Sequence, residues 1–132
     1  MKFIEAEHQS FYEEKINMCL KKGGYADSYI KSLFYLLGLC REKREHFSEL
    51  FDMKSSSVMV EELNAEWQTG TTQQICRLAF DLWNGYCYDE DEDTKEKKIS
   101  REYSVSHIFC CRYAEFFYEA IKLRYPSFFM NG

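Results

Sequence analysis

Proline and glycine are scarce in this chain, with one proline and six glycines in 132 residues. Because these two residues mark turns and chain breaks, their scarcity predicts long elements joined by few turns. No apolar run approaches the roughly 20 residues that cross a bilayer. The N-terminus also lacks the apolar segment of a signal peptide. We therefore expect a soluble, cytoplasmic protein with no membrane partner.

An excess of basic residues is missing as well. The chain has 17 Lys and Arg against 22 Asp and Glu, which gives a formal net charge of −5. Proteins that neutralise nucleic-acid phosphates usually carry a surplus of positive charge. The acidic balance therefore disfavours nucleic acid as a partner.

Motifs of catalysis and metal binding are also absent. The sequence has no nucleophile elbow, zinc-protease helix, phosphate-binding loop or dinucleotide fingerprint. Its six cysteines include no Cys-x-x-Cys pair, and only three histidines could join them as zinc ligands. We predict a protein that is not an enzyme and that uses no metal and no cofactor.

Aromatic residues, in contrast, are abundant. They form 17% of the chain, with ten Tyr and eleven Phe, and hydrophobic residues make up 45%. A chain of this length and composition can bury a core as one domain. So many rings cannot all be internal, and aromatic rings on a surface suit protein contact, including contact with a second copy of the chain.

The clearest local pattern is EWQTGTTQQICRLAFDLWNGY, residues 66–86. Thr71 or Thr72 can cap a helix start, and Asn84 with Gly85 can end it. Between them, apolar residues recur at the spacing of one helix face, namely Ile75, Leu78, Ala79, Leu82 and Trp83. This pattern predicts a central helix with one face in the core.

The start and the polar face of the central helix form the predicted binding site. Free amides and the helix dipole favour an anion there, while Trp67 offers an aromatic face and Arg77 a positive charge. The alternative is a solvated face, on which Arg77 and Asp81 form an ordinary i, i+4 ion pair. The predicted binding residues are Trp67, Gln68, Thr69, Thr71, Gln74, Arg77 and Asp81.

Four other segments show helical periodicity, at about residues 7–22, 28–39, 41–52 and 105–125. His8, at the start of the first, is expected to be solvated. In the third, the charged residues 41–45, with Lys43 among them, are expected to form an outer, solvated face.

Two segments lack helical periodicity. Residues 53–65 are predicted to be an irregular, loop-rich crossing before the central helix. Residues 88–99 include an acidic run that resembles a calcium-binding loop, but Thr94 and Ser100 stand where that motif needs glycine and glutamate, so a mobile acidic loop is predicted. The fold prediction is an all-α single domain, residues 1–132, with about five helices. Whether residues 128–130 are buried or exposed stays open.

Several segments resemble a family of small uncharacterised proteins from Gram-positive bacteria and their phages. WQTGTTQQICRLAFDLWNGY and AEFFYEAIKLRYP carry the resemblance, and MKFIEAEH and YIKSLFYLLGLC also fit it. The resemblance implies no activity and no catalytic residues. It does imply a mobile-element setting inside a bacterial host cell, where small compact proteins often bind and block a host or defence component.

Two functional hypotheses follow. The leading one is a non-enzymatic interaction protein of a phage or mobile element, with a counter-defence role, that binds a host or defence protein through the Trp67 loop and the polar face of the central helix. The alternative is a small-ligand binding protein. In that case the start of the central helix and Arg77 would hold a nucleotide-like or anionic molecule.

Overall fold

The computed structural model describes residues 1–129, and 59% of the structure is helical with 8% in strands. The α-helices are α1 (Ala6–Lys21), α2 (Ser28–Leu37), α3 (Arg41–Glu45), α4 (Phe47–Leu50), α5 (Gly70–Asn84), α6 (Val105–Ile108) and α7 (Ala114–Arg124). The strands are β1 (Phe51–Asp52), β2 (Ser57–Val58), β3 (Tyr88–Glu90) and β4 (Lys97–Ile99). The largely helical class is thus confirmed, with two small antiparallel sheets, β1-β2 and β3-β4, that the sequence did not predict.

Helix α2 lies at the centre of the core and packs against α1, α5 and α7. Asp27 caps it by accepting a hydrogen bond from the Ile30 amide at 2.9 Å. Seven of its ten residues are buried, namely Ile30, Ser32, Leu33, Phe34, Tyr35, Leu36 and Leu37. Each large apolar side chain buried in this way contributes roughly 1.5–3 kcal/mol before its entropy loss is counted.

The contact between α1 and α2 requires Gly38 and contains a buried histidine. A Cβ at Gly38 would lie 2.7 Å from Phe11 Cδ1 and 3.1 Å from His8 Cδ2. His8 is fully buried, so the expectation that it is solvated is wrong. Its Nε2 donates to the Tyr35 carbonyl at 2.7 Å, while its Nδ1 accepts from the Ile4 amide at 3.2 Å. These two bonds select a neutral ring, and burial lowers the pKa of His8.

Helix α5 is capped two or three residues earlier than the sequence predicted. Thr69 is the N-cap: its hydroxyl accepts from the Thr72 amide at 3.3 Å, and the Thr72 hydroxyl accepts from the Thr69 amide at 2.7 Å. The prediction that Thr71 or Thr72 caps the helix is therefore wrong, because Thr72 serves as the third residue of this reciprocal box. Gly85 ends the helix as predicted, in the left-handed conformation with φ +77°.

The two outer helices that the sequence predicted as continuous are interrupted. Residues 41–52 divide into α3, α4 and strand β1, and residues 105–125 divide at 109–113. Ile108 and Tyr113 are both buried. In one unbroken helix, residues five apart point about 140° away from each other, so the break allows both side chains to reach the core.

The segments without helical periodicity contain short regular elements. Residues 53–65 hold β2 and a 3₁₀ helix, Val60–Asn64. Within residues 88–99, β3 and β4 form a hairpin with Asp89 opposite Lys98 and Glu90 opposite Lys97. Opposite charges that face each other across strands favour this register. All twelve residues of 88–99 are exposed, so the acidic run adds nothing to the core. Within residues 1–129, no helix has the length and apolar character needed to cross a membrane.

Candidate functional site

A lysine is buried beneath the loop that precedes α5. The Lys43 side chain is 0% exposed, and its Nζ lies 2.9 Å from Gln68 Oε1 and 2.6 Å from Cys76 Sγ. The Trp67 ring covers the same nitrogen, with its centroid 4.6 Å away. Burial lowers the pKa of Lys43 because the charged form is desolvated. We call Lys43, His46, Trp67, Gln68 and Cys76 the Lys43 cluster.

The expectation that Lys43 lies on a solvated face is wrong. Lys43, Phe47 and Leu50 stand at i, i+4 and i+7, the spacing of a single helix face, and all three are buried. That spacing was visible in the sequence and could have identified Lys43 as an inward-facing residue. Lys43 lies in α3, and Phe47 and Leu50 lie in α4; the two short helices keep all three side chains on the core side.

Trp67 and Gln68 are held by the cluster. The Trp67 indole stacks on the His46 ring, with the centroids 4.0 Å apart and the planes 2° from parallel. Gln68 also donates to the Glu62 carbonyl at 3.0 Å. Both side chains are partly buried, which leaves little of either for contact with a partner.

The remaining predicted binding residues lie around the polar face of α5. Thr71, Gln74 and Arg77 line an open groove of about 620 Å³, and neither Trp67 nor Gln68 is among its lining residues. The structure therefore does not bring the two halves of the predicted site into one groove. Gln74 is committed to a structural contact, because its Nε2 donates to the His107 carbonyl at 2.7 Å.

Arg77 makes a different ion pair from the one that the sequence suggested. Its Nη1 lies 3.7 Å from a Glu102 carboxylate oxygen, so the expected partner, Asp81, is replaced by a residue from a distant segment. Asp81 is partly buried, and burial raises the pKa of its carboxyl. The last predicted residue, Thr69, serves as the N-cap of α5.

The charges around Arg77 are unfavourable for an anion. Arg77 Nε and the Tyr103 hydroxyl are buried without a hydrogen-bond partner in the described part of the chain, and both residues line a second groove of about 390 Å³. Four carboxylates line the two grooves, those of Glu61, Asp89, Glu90 and Glu102. One guanidinium among four carboxylates leaves a net negative potential, which repels phosphate or carboxylate ligands.

Exposed aromatic rings gather where α2 begins and α7 ends. Tyr25 is 79% exposed and Phe128 is 80% exposed, and Tyr29, Tyr118 and Tyr125 are exposed as well. We call this set the aromatic surface: Tyr25, Tyr29, Tyr118, Tyr125 and Phe128. None of the five was among the predicted binding residues.

Arg124 organises the middle of the aromatic surface. Its guanidinium lies 3.5 Å from the centroid of the Tyr29 ring and 4.5 Å from that of Tyr125. Its Nε donates to the Leu82 carbonyl at 2.9 Å, which fixes the side chain to the end of α5. The Tyr125 ring lies 6.2 Å from that of Phe128. The rings of Tyr29 and Tyr125 are therefore held in place without being covered.

A groove of about 950 Å³ borders the aromatic surface. Tyr25, Leu123 and Pro126 supply apolar walls. Its charged lining residues are three lysines and two acids, Lys2, Lys31, Lys122, Asp27 and Glu119. The groove therefore combines apolar contact area with a slight excess of positive charge.

The C-terminal aromatic residues were the sequence signal for this surface. If these residues are exposed, they form an apolar patch that favours protein contact. The sequence alone did not decide whether they are exposed. Phe128 is exposed, Phe129 packs against Tyr118 with the ring centroids 5.7 Å apart, and Met130 lies outside the described residues. Tyr25 gave no comparable signal, because its exposure depends on how the chain turns between α1 and α2.

Comparison with known proteins identifies a family to which no activity is assigned. No curated protein and no solved structure matches the chain. One family model matches residues 1–131, which confirms the resemblance to a family of unassigned function. The Gram-positive and phage setting stays a prediction. The chain belongs to the family of unknown function (DUF6075).

Proposed function

We propose that this protein acts by binding another protein through the aromatic surface, as an interaction protein of a phage or mobile element that blocks a host or defence component. The observation that carries the proposal is the group of five exposed rings. Fully burying one large apolar side chain contributes roughly 1.5–3 kcal/mol of favourable free energy. Because Tyr25 and Phe128 are largely exposed, a partner that covers them gains most of this free energy for each ring.

Pre-organisation supports the choice of this surface. Tyrosine and arginine are over-represented among the residues that dominate binding energy at interfaces. Because Arg124 is tied to the Leu82 carbonyl and lies over Tyr29 and Tyr125, these side chains lose little freedom on binding. Trp67, which the sequence favoured, is stacked on His46 and partly buried.

The neighbouring groove indicates what kind of segment the partner presents. An apolar side chain fits between Tyr25, Leu123 and Pro126, and an acidic residue beside it meets Lys31. The other two lysines of the lining, Lys2 and Lys122, already pair with Glu115 and Glu119. A partner segment with such an apolar and an acidic side chain buries apolar area in the groove. Its acidic residue also forms a charge pair, and charge pairs fix the register of an interface. The proposed partner is therefore a host or defence protein with an apolar, acidic binding segment.

The small-ligand alternative is tested by measuring the thermal midpoint of the purified protein with and without anionic ligands. An anionic ligand at the start of α5 raises the thermal midpoint, because only binding to the native state gives that shift. Arg77→Ala abolishes the shift if Arg77 is the anchor. The four carboxylates around Arg77 lead us to expect no stabilisation by nucleotides, cyclic dinucleotides or inorganic phosphate.

The decisive experiment compares two triple variants. The surface variant carries Tyr25→Ala, Tyr118→Ala and Phe128→Ala. Its control removes three other exposed apolar residues, namely Tyr88→Ala, Ile99→Ala and Val105→Ala. All six side chains are exposed, so both variants are expected to fold, and circular dichroism checks this.

Partners are captured from host lysate, purified, and their affinity for each variant is measured by calorimetry. Loss of one ring worth about 2 kcal/mol weakens binding about 30-fold. The surface variant should therefore lose at least that factor and the control variant almost nothing. Equal affinity of parent and surface variant would refute the proposed surface. If the surface variant keeps the parent affinity while the double variant Glu66→Lys/Thr71→Lys binds more weakly, the binding site lies at the Trp67 loop instead.

A further inference from the structure

The shortest contact in the Lys43 cluster joins Lys43 Nζ to Cys76 Sγ at 2.6 Å. The Gln68 amide nitrogen lies 3.4 Å from the same sulfur, which is 0.8 Å farther (3.4 − 2.6). Because sulfur is larger than oxygen, a nitrogen–sulfur contact is expected to exceed the roughly 2.9 Å of an ordinary N–H···O bond. The two atoms are thus close enough for a single oxygen atom to bridge them.

We propose that Lys43 and Cys76 form an oxidative modification site, at which hydrogen peroxide links the amine nitrogen to the thiol sulfur through one oxygen atom. The link is a reversible N–O–S cross-link between α3 and α5. It is independent of the proposed protein-binding role, which lies on a different surface.

The surroundings favour this reaction over the usual fates of a thiol. Both side chains are 0% exposed, so a tripeptide thiol such as glutathione is excluded from Cys76 in the folded protein, whereas peroxide and the smaller dithiothreitol need only a local opening. The amine must be neutral to react, and burial lowers the pKa of Lys43, which favours that form.

Peroxide can reach the pair when the segment that covers it opens. Residues 65–69, which include Trp67 and Gln68, have neither helix nor strand. Trp67 Nε1 is buried without a hydrogen-bond partner among residues 1–129, so moving the indole breaks no hydrogen bond from that atom. Local opening of such a segment costs far less than global unfolding, and peroxide is only slightly larger than water.

The chemistry balances with two molecules of peroxide. One oxidises the Cys76 thiol to a sulfenic acid and releases water. The second oxidises the Lys43 amine to a hydroxylamine and releases water. The hydroxylamine and the sulfenic acid then condense, which forms the O–S bond, breaks the other S–O bond and releases a third water. Four electrons pass to the two peroxide O–O bonds, and two equivalents of a dithiol return them and regenerate the amine and the thiol.

Mass spectrometry identifies the product directly. The bridge adds one oxygen and removes two hydrogens, a gain of about 14 Da, whereas sulfenic acid alone adds about 16 Da. Trypsin cannot cleave after a modified Lys43, so the expected product is peptide 42–44 joined to peptide 55–77. Purified full-length protein is treated with peroxide, alkylated and digested, with and without prior dithiothreitol.

Three variants provide the controls. Cys76→Ala and Lys43→Arg should each abolish the joined peptide, while Cys40→Ala, which removes another buried cysteine, should leave it unchanged. The joined peptide should disappear after dithiothreitol. Normal cleavage after Lys43 in peroxide-treated parent protein overturns the proposal, as does a joined peptide that survives Cys76→Ala.

A second measurement, the thermal midpoint, uses only the parent protein and so does not require any variant to fold. A cross-link that closes a loop of about 30 residues stabilises the native state, and for a domain of this size the thermal midpoint should rise by roughly 5–10 °C. Oxidised parent protein should therefore melt at a higher temperature than the same sample after dithiothreitol. A midpoint that is unchanged or lower after oxidation would contradict the cross-link.

Discussion

Acidification should destabilise this protein in part through His8. The ring is fully buried, and its Nδ1 accepts a hydrogen bond from the Ile4 amide. Protonation places a second N–H against that amide and puts a positive charge in the core. Burial therefore lowers the pKa of His8 below its ordinary value of 6.5.

The sign follows from proton linkage. Between the lowered pKa of the folded state and the ordinary pKa of the unfolded state, the unfolded chain binds more protons, so stability rises with pH in that window. The stabilisation is complete above about pH 6.5 and is lost as the pH falls towards the folded-state pKa. The largest slope that one proton can give is about 1.4 kcal/mol per pH unit.

Urea unfolding at pH 8, 7, 6 and 5 tests this directly in the parent and in His8→Gln. The variant starts less stable at pH 8, because the Tyr35 and Ile4 contacts change, but it should lose less free energy on acidification. His46→Gln and His107→Gln, which replace the two histidines that are not fully buried, are the matched controls. If His8→Gln shows the same loss between pH 8 and pH 5 as the parent, the assignment of the pH dependence to His8 is refuted.

Three substitutions test the packing and capping contacts, each by thermal and urea unfolding. Gly38→Ala should cost about 1–3 kcal/mol, because its Cβ meets Phe11 at 2.7 Å; a neutral effect would show that α1 and α2 adjust freely. Thr69→Ala should cost about 1 kcal/mol through loss of the cap on α5, whereas Thr71→Ala should cost less. Gly85→Ala should cost about 1 kcal/mol, because φ is +77°; an unchanged midpoint would contradict that strain.

The sequence predicted the helices whose signals are local. Helices α1, α2 and α5 each have an apolar stripe, and α2 and α5 also begin at a capping residue, so their positions follow from nearby residues alone. The division of residues 105–125 could not be predicted in this way. It depends on Ile108 and Tyr113 reaching the core together, and that requirement comes from the surrounding fold.

The candidate site was less predictable than the fold. Which of the 23 aromatic residues reach the surface is decided by tertiary packing, so composition indicated an exposed group without identifying Tyr25 or Phe128. Lys43 is a different case, because its spacing to Phe47 and Leu50 indicated burial while its charge suggested exposure. Periodicity was the better guide at that position, since Gln68, Cys76 and Trp67 surround the amine.

The complete burial of the second half of α2 has a consequence for hydrogen exchange. An amide in a helix enclosed by α1, α5 and α7 can exchange with solvent only when the whole fold opens, so its exchange rate reports the global free energy of unfolding. The exposed hairpin of β3 and β4 can open alone and should exchange orders of magnitude faster. The amides of Phe34 to Leu37 therefore provide an internal gauge of stability that needs no denaturant, against which the opening of every other segment can be compared.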